Sequence, residues 1–210
     1  MSLRTVLYAE GAVETGHGPG FGEILSEDEL GPAHDLVRRC LIERGTIPEG
    51  AVLFGRPLRL RGKVARGSDL LAPASARKLL AWPERSRAPE FAIVLVDGDG
   101  DPSRRATAER AVSGAIVPAV IGVALQEFEA WLIADDAAVS RAISAAFGTQ
   151  KCPEEMKPRV AKQLLADAIG RTGAEPRLVR RTIARTSRLE VIADRCPAFQ
   201  RFREDLQARS

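Results

Sequence analysis

Residues 91–101 read FAIVLVDGDGD, so six apolar residues run directly into three aspartates that are separated only by glycines. An apolar run of this kind is typical of a strand buried on both faces of a parallel sheet. Carboxylates so close together repel one another unless a cation lies between them. The stretch therefore predicts an α/β fold with a charged site at the carboxyl end of this strand.

Around this strand, strand-like and helical patterns alternate along the chain. Helical spacing of apolar residues separates the other strand-like segments, which are 4–9, 51–54 and 119–124. We predict an α/β domain over residues 1–150, with a mostly parallel sheet flanked by helices and a basic insertion near 55–90. Helical patterns continue over residues 151–210, which we interpret as a C-terminal extension packed on the sheet.

Several predictions concern individual positions on the helices. The pattern over 128–147 predicts one helix, with Asp135 and Asp136 on its solvated face. His34, at the start of an earlier helix, is likewise predicted to be a polar surface residue. Pro197 suits the first position of the last helix, where a missing N–H costs nothing.

Charge is segregated along the chain, although the net charge is only +3. Residues 1–50 and 88–156 carry net charges of −5 and −6, whereas residues 51–87 and 157–210 each carry +7. An acidic pocket rimmed by cationic surface suits metal-assisted chemistry on a polyanion. An arginine-rich composition that only solvates helix faces explains the same numbers equally well.

Composition also excludes several classes of protein. The longest uncharged apolar stretch, 115–125, is too short to span a bilayer. The start of the chain lacks the apolar core of a signal peptide, so we expect a cytoplasmic protein with no membrane association. Cys40, Cys152 and Cys196 are far apart in the sequence and predict neither a disulfide framework nor a structural zinc site.

Acidic residues follow three of the predicted strands. Glu10 directly follows the first strand, Asp97 directly follows the strand at 91–96, and Glu127 and Glu129 follow the last strand. Ligands of open α/β sheets bind beyond the carboxyl ends of the strands, so these side chains are expected to converge. For Glu14, Asp101 and Glu127, a solvated loop position is an equally good interpretation.

Asp97 and Asp99 lie two residues apart, which in an extended chain places both on one side. The intervening Gly98 would let a metal ion or phosphate approach closely. Magnesium takes one or two protein carboxylates and completes its shell with water and substrate phosphate oxygens. The pair therefore predicts a Mg²⁺ or Mn²⁺ site.

Other families also use clustered aspartates, and the sequence separates some of them. In a calcium loop that began at Asp97, Pro102 and Ala108 would stand where glycine and glutamate are required. Haloacid-dehalogenase-like phosphatases place threonine or valine where Asp101 stands. A metal-dependent glycosyltransferase stays open, although it does not explain the glutamate of LYAEGAVE at 7–14.

Basic residues supply candidates for contacts with phosphate. Arg59, Arg61 and Lys63 belong to the basic stretch GRPLRLRGKVARG, and each could neutralise a phosphate of a nucleic-acid backbone. Lys162 is a candidate for stabilising negative charge in a transition state.

Five segments carry a resemblance to a known family. AEGAVE at 9–14 resembles the strand-end glutamate motif of Toprim domains, and VDGDGDPSRRATAERA at 96–111 resembles their aspartate motif with its trailing helix. QEFEAWLIAD at 126–135, PEE at 153–155 and CPAFQRF at 196–202 are similar to one subgroup, the Toprim-like domain of unknown function 4276 family. The resemblance covers most of the chain and implies a Rossmann-like, mostly parallel sheet.

The resemblance also implies roles for the acidic residues. In this family Glu10 would act as acid or base, and Asp97 and Asp99 would hold Mg²⁺ or Mn²⁺. The remaining positions of the site would be filled from Glu14, Asp101, Glu127 and Glu129. Of the last two, Glu129 is preferred because it stands nearest Trp131 in the family-like segment.

Toprim domains occur in topoisomerases, bacterial primases and nucleases of the overcoming-lysogenization-defect group. A topoisomerase needs a nucleophilic tyrosine, and Tyr8, the single tyrosine, lies inside the first strand. A primase would bring a zinc module, which three scattered cysteines do not provide. The resemblance therefore implies a Mg²⁺-dependent phosphodiesterase acting on nucleic acid, associated with bacterial defence.

Two alternatives stay open at this point. The first is a non-catalytic Toprim-like subunit that binds nucleic acid or a protein partner such as an ATPase. The second is a nucleotide- or sugar-phosphate transferase that uses the same aspartates.

Overall fold

The computed structural model describes residues 2–10, 22–45, 47–83 and 87–209. Within these residues the strands are β1 (Leu3–Ala9), β2 (Val52–Gly55), β3 (Phe91–Asp97) and β4 (Ala119–Ala124). They form one sheet in the order β2-β1-β3-β4, and every pair of neighbours is parallel. The predicted α/β fold with a parallel sheet is confirmed.

Helices surround the sheet on both faces. In chain order they are α1 (Pro32–Ile42), α2 (Gly67–Leu71), α3 (Pro73–Leu79), α4 (Arg104–Val112), α5 (Glu129–Ile133), α6 (Asp136–Ile143), α7 (Val160–Gly170), α8 (Pro176–Thr186), α9 (Leu189–Arg195) and α10 (Pro197–Gln207). Pro197 is the first residue of α10, as the sequence predicts. In the described part of the chain, no helix is both long enough and apolar enough to cross a membrane.

The central strand β3 shows why the sheet takes a helical layer on each face. Phe91, Ile93 and Leu95 belong to the core formed with α1 and helices α7 to α10. The alternate residues Ala92, Val94 and Val96 belong to a second core, formed with α2, α3 and α4. Since successive side chains of a strand point to opposite faces, a strand between two apolar layers must be apolar throughout.

The C-terminal helices pack directly on the sheet. Trp131, which is fully buried, lies against Phe199 and Phe202 of α10, with ring centroids 5.2 and 5.6 Å away. The Glu154 carboxylate accepts hydrogen bonds from the Trp131 indole (2.6 Å) and from the amide of Ala198 (3.0 Å). These contacts join the helical extension to α5, and Phe202 also lies against Gly122 of β4. The division at residue 150 stays a prediction.

The structure corrects three predictions about the helices. Residues 128–147 form two helices instead of one, because the chain leaves the helical conformation at Asp135 (φ −96°, ψ 87°). Asp135 has no exposed surface and binds Arg188, so its predicted place on a solvated face is wrong. His34 is also buried, with its ring 4.7 Å from that of Phe54, and is not a surface residue.

Candidate functional site

The carboxyl ends of β1, β3 and β4 lie side by side at one edge of the sheet. Ala9 is level with Leu95, and Asp97 is level with Ala124. Glu10 follows β1 directly, and its backbone N–H donates to the carbonyl of Leu95 (3.1 Å). Parallel pairing therefore brings together side chains that are far apart in the sequence.

Glu10 and Asp97 meet at this edge. The Glu10 Oε2 atom accepts a hydrogen bond from the backbone N–H of Asp97 at 3.2 Å. Glu10 therefore lies beside the strand end that carries Asp97, whereas the convergence of the two carboxylates on a shared cation stays a prediction. The chemical roles of the two residues stay predictions.

Asp97 is the residue with the most perturbed acidity in the site. Burial raises the pKa of its carboxyl to about 7, and the negative charges of Glu129, Glu10 and Asp99 add to the rise. A hydrogen bond from the N–H of Phe128 to Asp97 Oδ1 (2.8 Å) acts in the opposite direction. A buried carboxyl surrounded by other carboxylates is a group that a cation would stabilise in its charged form.

The loop after β3 is shaped by contacts with the neighbouring strand. A Cβ atom on Gly98 would lie 2.4 Å from the carbonyl oxygen of Leu125, so only glycine fits there. Asp99 has a left-handed backbone (φ 50°). The sequence-based picture of an extended chain, in which Gly98 makes room for a ligand, is therefore wrong: Gly98 makes room for the backbone beyond β4.

Arg104, the first residue of α4, supports both aspartates of this loop. Its Nε atom donates to the carbonyl oxygen of Asp97 (2.9 Å), and its Nη2 atom makes an ion pair with the Asp99 carboxylate. Asp99 is otherwise largely exposed. The loop thus has a counter-charge supplied by the helix that follows it.

Asp101 has a different role from the one that the sequence predicts. Its Oδ1 atom accepts hydrogen bonds from the N–H (2.8 Å) and hydroxyl (2.7 Å) of Ser103, and these bonds lower the pKa of the Asp101 carboxyl. This arrangement satisfies backbone donors just before α4. We therefore assign Asp101 to the start of the helix and not to the site.

An open cleft of about 710 Å³ lies beside the aspartates. Acidic and polar residues from the ends of β3 and β4 line it, namely Asp97, Asp99, Gln126 and Glu127. Residues of α7 and just before it also line it, namely Pro158, Arg159, Lys162, Gln163 and Ala166. The cleft is therefore lined by carboxylates together with cationic side chains.

The predicted residues Glu129 and Lys162 both belong to this region. Glu129 is buried, and its Oε1 atom lies 3.0 Å from Arg180 Nη1 and 3.9 Å from Lys162 Nζ. Glu127 is also buried, and its Oε1 atom accepts from the N–H of Lys162 at 2.6 Å. The interpretation of Glu127 as a solvated loop residue is thus wrong.

The basic residues predicted to bind nucleic acid lie on a tight turn. Leu60 and Lys63 pair through two backbone hydrogen bonds of 2.9 and 3.0 Å, and the two residues between them have positive φ (Arg61 51°, Gly62 76°). Arg59, Arg61 and Lys63 are exposed. The segment leaves the carboxyl end of β2 and returns at Gly67, which lies against Glu10. Both ends of the segment that carries the turn therefore lie at the carboxyl end of the sheet.

Glu14 lies outside the described residues, so its predicted role has no geometry here. Across 2–10, 22–45, 47–83 and 87–209, no group of three or more His, Cys, Asp or Glu side chains is arranged to hold a metal ion. The Glu10 carboxylate contacts the backbone N–H of Asp97, and the charges of Glu129, Glu10 and Asp99 act on the Asp97 carboxyl.

Sequence reasoning missed three arginines of the site. Arg104 carries a detectable signal, because it stands in the first turn of the helix that follows the aspartates. Arg159 and Arg180 are brought in by α7 and α8, more than fifty residues after the aspartates, and nothing local to the sequence marks them. Arg159 has a left-handed backbone (φ 69°), a conformation that non-glycine residues adopt mainly where the surroundings require it.

The fold and site together define a parallel α/β protein with an acidic cluster at the carboxyl ends of its strands. Residues 39–207 match the model of a family described as Domain of unknown function (DUF4276), so the chain belongs to this family. The match includes Asp97, Asp99 and Glu129 and begins after Glu10. No curated protein and no solved structure matches the chain.

Proposed function

We propose that the protein is a Mg²⁺- or Mn²⁺-dependent phosphodiesterase that acts on nucleic acid, as its resemblance to Toprim-type nucleases implies. The observation that carries the proposal is the contact of the Glu10 carboxylate with the backbone of Asp97 at the edge of the sheet, beside a cleft that is lined by Asp97 and by Arg159 and Lys162. A cytoplasmic location and a role in bacterial defence, alone or with an ATPase partner, are part of the same proposal.

The donor set suits a hard divalent cation. Mg²⁺ is usually held by one or two protein carboxylates together with water and substrate phosphates, so a pair of carboxylates is sufficient. Asp97 and Glu10 would supply this pair, and Asp99 would join when its carboxylate leaves Arg104. When bound, the ion would activate water and stabilise charge on a phosphoryl oxygen.

The side chains of the site have distinct roles in this proposal. The Glu10 carboxylate would accept a proton from the attacking water. Arg159 and Lys162, which line the cleft, would face the phosphate oxygens and stabilise the charge that develops on them. Glu129, whose Oε1 atom pairs with Arg180 and Lys162, would position these two side chains.

The cationic turn with Arg59, Arg61 and Lys63 would extend the binding surface. Its side chains are exposed and would contact backbone phosphates away from the reacting one. Such contacts fix the position of a polyanion without reading its sequence.

The runner-up function is a non-catalytic subunit that binds nucleic acid or a protein. The ion pair between Arg104 and Asp99 favours it, because an internal cation already neutralises one of the predicted metal ligands. A transferase acting on nucleotide sugars is the third candidate.

A cleavage assay separates these functions. Single-stranded DNA, duplex DNA and RNA are incubated with the purified protein and Mg²⁺ or Mn²⁺, in parallel with nucleotide sugars. Wild type is expected to cleave at least one nucleic acid, and Asp97→Asn and Glu10→Gln are each expected to lose about 100-fold or more, as is typical when an acid–base group is removed. Asp101→Asn is the matched control, because it removes a carboxylate from the same loop that lies outside the site.

Binding without cleavage in the wild type would favour the subunit, and turnover of nucleotide sugars alone would favour the transferase. Equal losses of cleavage activity in Asp101→Asn and Asp97→Asn would show that the substitutions disturb the loop as a whole and do not report on the site.

A further inference from the structure

Gly67 lies closer to the Glu10 carboxylate than any larger residue could. A Cβ atom built on Gly67 would be 2.3 Å from the carboxyl carbon and 2.3 Å from each carboxylate oxygen of Glu10. Three equal distances mean that the Cα of Gly67 packs against the flat face of the carboxylate. Real Cβ atoms essentially never approach other heavy atoms so closely, so a side chain at residue 67 would force the carboxylate to move.

The requirement for glycine here comes from this contact and not from the backbone. Gly67 is absent from the residues with positive φ, whereas six other glycines have such conformations. Alanine is therefore compatible with the backbone at the first position of α2. The clash would fall on the free end of a flexible side chain, which can move at little cost to the fold.

The position of the Glu10 carboxylate is also fixed from the other side. Its Oε2 atom accepts the hydrogen bond from the amide of Asp97 at 3.2 Å. The carboxylate thus contacts both Gly67 and the strand end that carries Asp97. A displacement away from Gly67 would change the distance from Glu10 to Asp97.

We propose that Gly67 is a positioning residue for Glu10, which holds the carboxylate at the place where it meets Asp97. The inference rests on the proposed function for its effect on catalysis, but the geometric effect does not depend on that function. Gly67 also stands at the end of the segment 56–67 that carries the cationic turn.

The test compares Gly67→Ala with Gly50→Ala, because a Cβ on Gly50 would meet nothing within 4 Å. Exchange of the Asp97 amide, followed by NMR, reports the hydrogen bond to Glu10 directly and needs neither metal nor substrate. We expect exchange to become faster in Gly67→Ala and to stay as in the wild type in Gly50→Ala. The thermal midpoint should change by less than about 3 °C in both variants, since no core contact is lost.

Cleavage and Mn²⁺ affinity by calorimetry give the functional consequence. Gly67→Ala is expected to lose about 100-fold in kcat, the cost of displacing a reacting group by about 1 Å. The loss caused by Gly67→Ala should be smaller in a protein that also carries Glu10→Asp, because the shorter side chain withdraws the carboxylate from residue 67. Adding Gly67→Ala to Glu10→Asp should therefore cost less than about 10-fold, a non-additivity typical of residues in direct contact.

Unchanged exchange of the Asp97 amide in Gly67→Ala would overturn the inference, as would the same 100-fold loss in both backgrounds. Faster exchange in a protein that neither binds Mn²⁺ nor cleaves nucleic acid would reject the proposed function and leave the positioning role of Gly67 supported.

Discussion

Asp135 connects α5 with α8 and α9 through a single buried carboxylate. Its two oxygens accept hydrogen bonds from the backbone N–H of Arg188 (2.8 Å) and from two atoms of the Arg188 guanidinium (3.1 and 2.9 Å). Burial alone would raise the pKa of this carboxyl, but the bonds from Arg188 outweigh it and lower the pKa to about 2. The residue is thus a structural acid and no part of the acidic site.

The depressed pKa makes stability depend on pH in a defined window. Since the folded pKa of Asp135 is below the unfolded value of about 4, its contribution is complete above about pH 5 and is lost as the pH falls toward 2. Asp135→Asn should therefore reduce the free energy of unfolding at pH 7 by on the order of 2 kcal/mol, with a difference from wild type that shrinks toward pH 2. Urea unfolding at several pH values measures this difference; parallel curves would contradict the prediction.

The turn at 60–63 and the loop after β3 are the two short elements that give the edge of the sheet its charge. The turn is tight because Arg61 and Gly62 both have positive φ. It therefore carries the exposed basic side chains of Arg61 and Lys63 close together. The loop presents aspartates because Gly98 permits contact with the backbone beyond β4. Each element depends on one glycine. The turn contributes positive charge, and the loop contributes negative charge.

Removal of charge from the turn should change the salt dependence of nucleic-acid binding. Arg61→Ala and Lys63→Ala are each expected to reduce the slope of log K against log salt by about 1, because each removes a phosphate contact. Arg201→Ala, which removes an exposed arginine from α10, should leave the slope unchanged. Fluorescence anisotropy with a labelled oligonucleotide between low and high salt measures the slope. A slope that is equal in all four proteins would exclude the turn from the interface.

The sequence predicts where the strands and helices lie along the chain better than it predicts which side chains of separate elements meet. The apolar run at 91–96 predicts β3 and its burial, because a strand covered on both faces can carry no polar residue there. The ends of β1 and β3 then predict that Glu10 and Asp97 meet. Arg180 could not be predicted in the same way, since it reaches Glu129 only through the packing of α8, and the sequence records no distance between separate helices.

On the scale of the whole molecule, arginines of the C-terminal helices join the two ends of the chain. Arg181 of α8 donates to both oxygens of Asp35 in α1 (2.7 and 3.2 Å), and both side chains are buried. Arg185 donates to the same carboxylate at 3.0 Å. Part of the charge segregated along the sequence is therefore neutralised within the fold, because basic side chains of the C-terminal helices pair with acidic side chains of the N-terminal part.

Breaking this pair should weaken the whole molecule. Arg181→Met would leave the Asp35 carboxylate buried with less compensation, and we expect a loss of about 3 kcal/mol in the free energy of unfolding. Addition of Asp35→Leu should recover part of the loss, because an apolar pair of similar volume needs no compensation. Arg171→Met, at an exposed arginine, is the control.

Denaturant unfolding followed by both tryptophan fluorescence and circular dichroism measures these differences. Because one core includes the sheet and helices α7 to α10, both probes should report a single transition. Two separate transitions would instead support an independent unit after residue 150.

Arg104 has a consequence for the resting state of the protein. One guanidinium contacts both aspartates of the loop, as a donor to the backbone of Asp97 and as the ion-pair partner of Asp99. The loop is thus held in shape by a counter-ion built into the chain, and an incoming cation would compete with that arginine for Asp99. Binding of the proposed metal ion would in this sense exchange one positive charge for another.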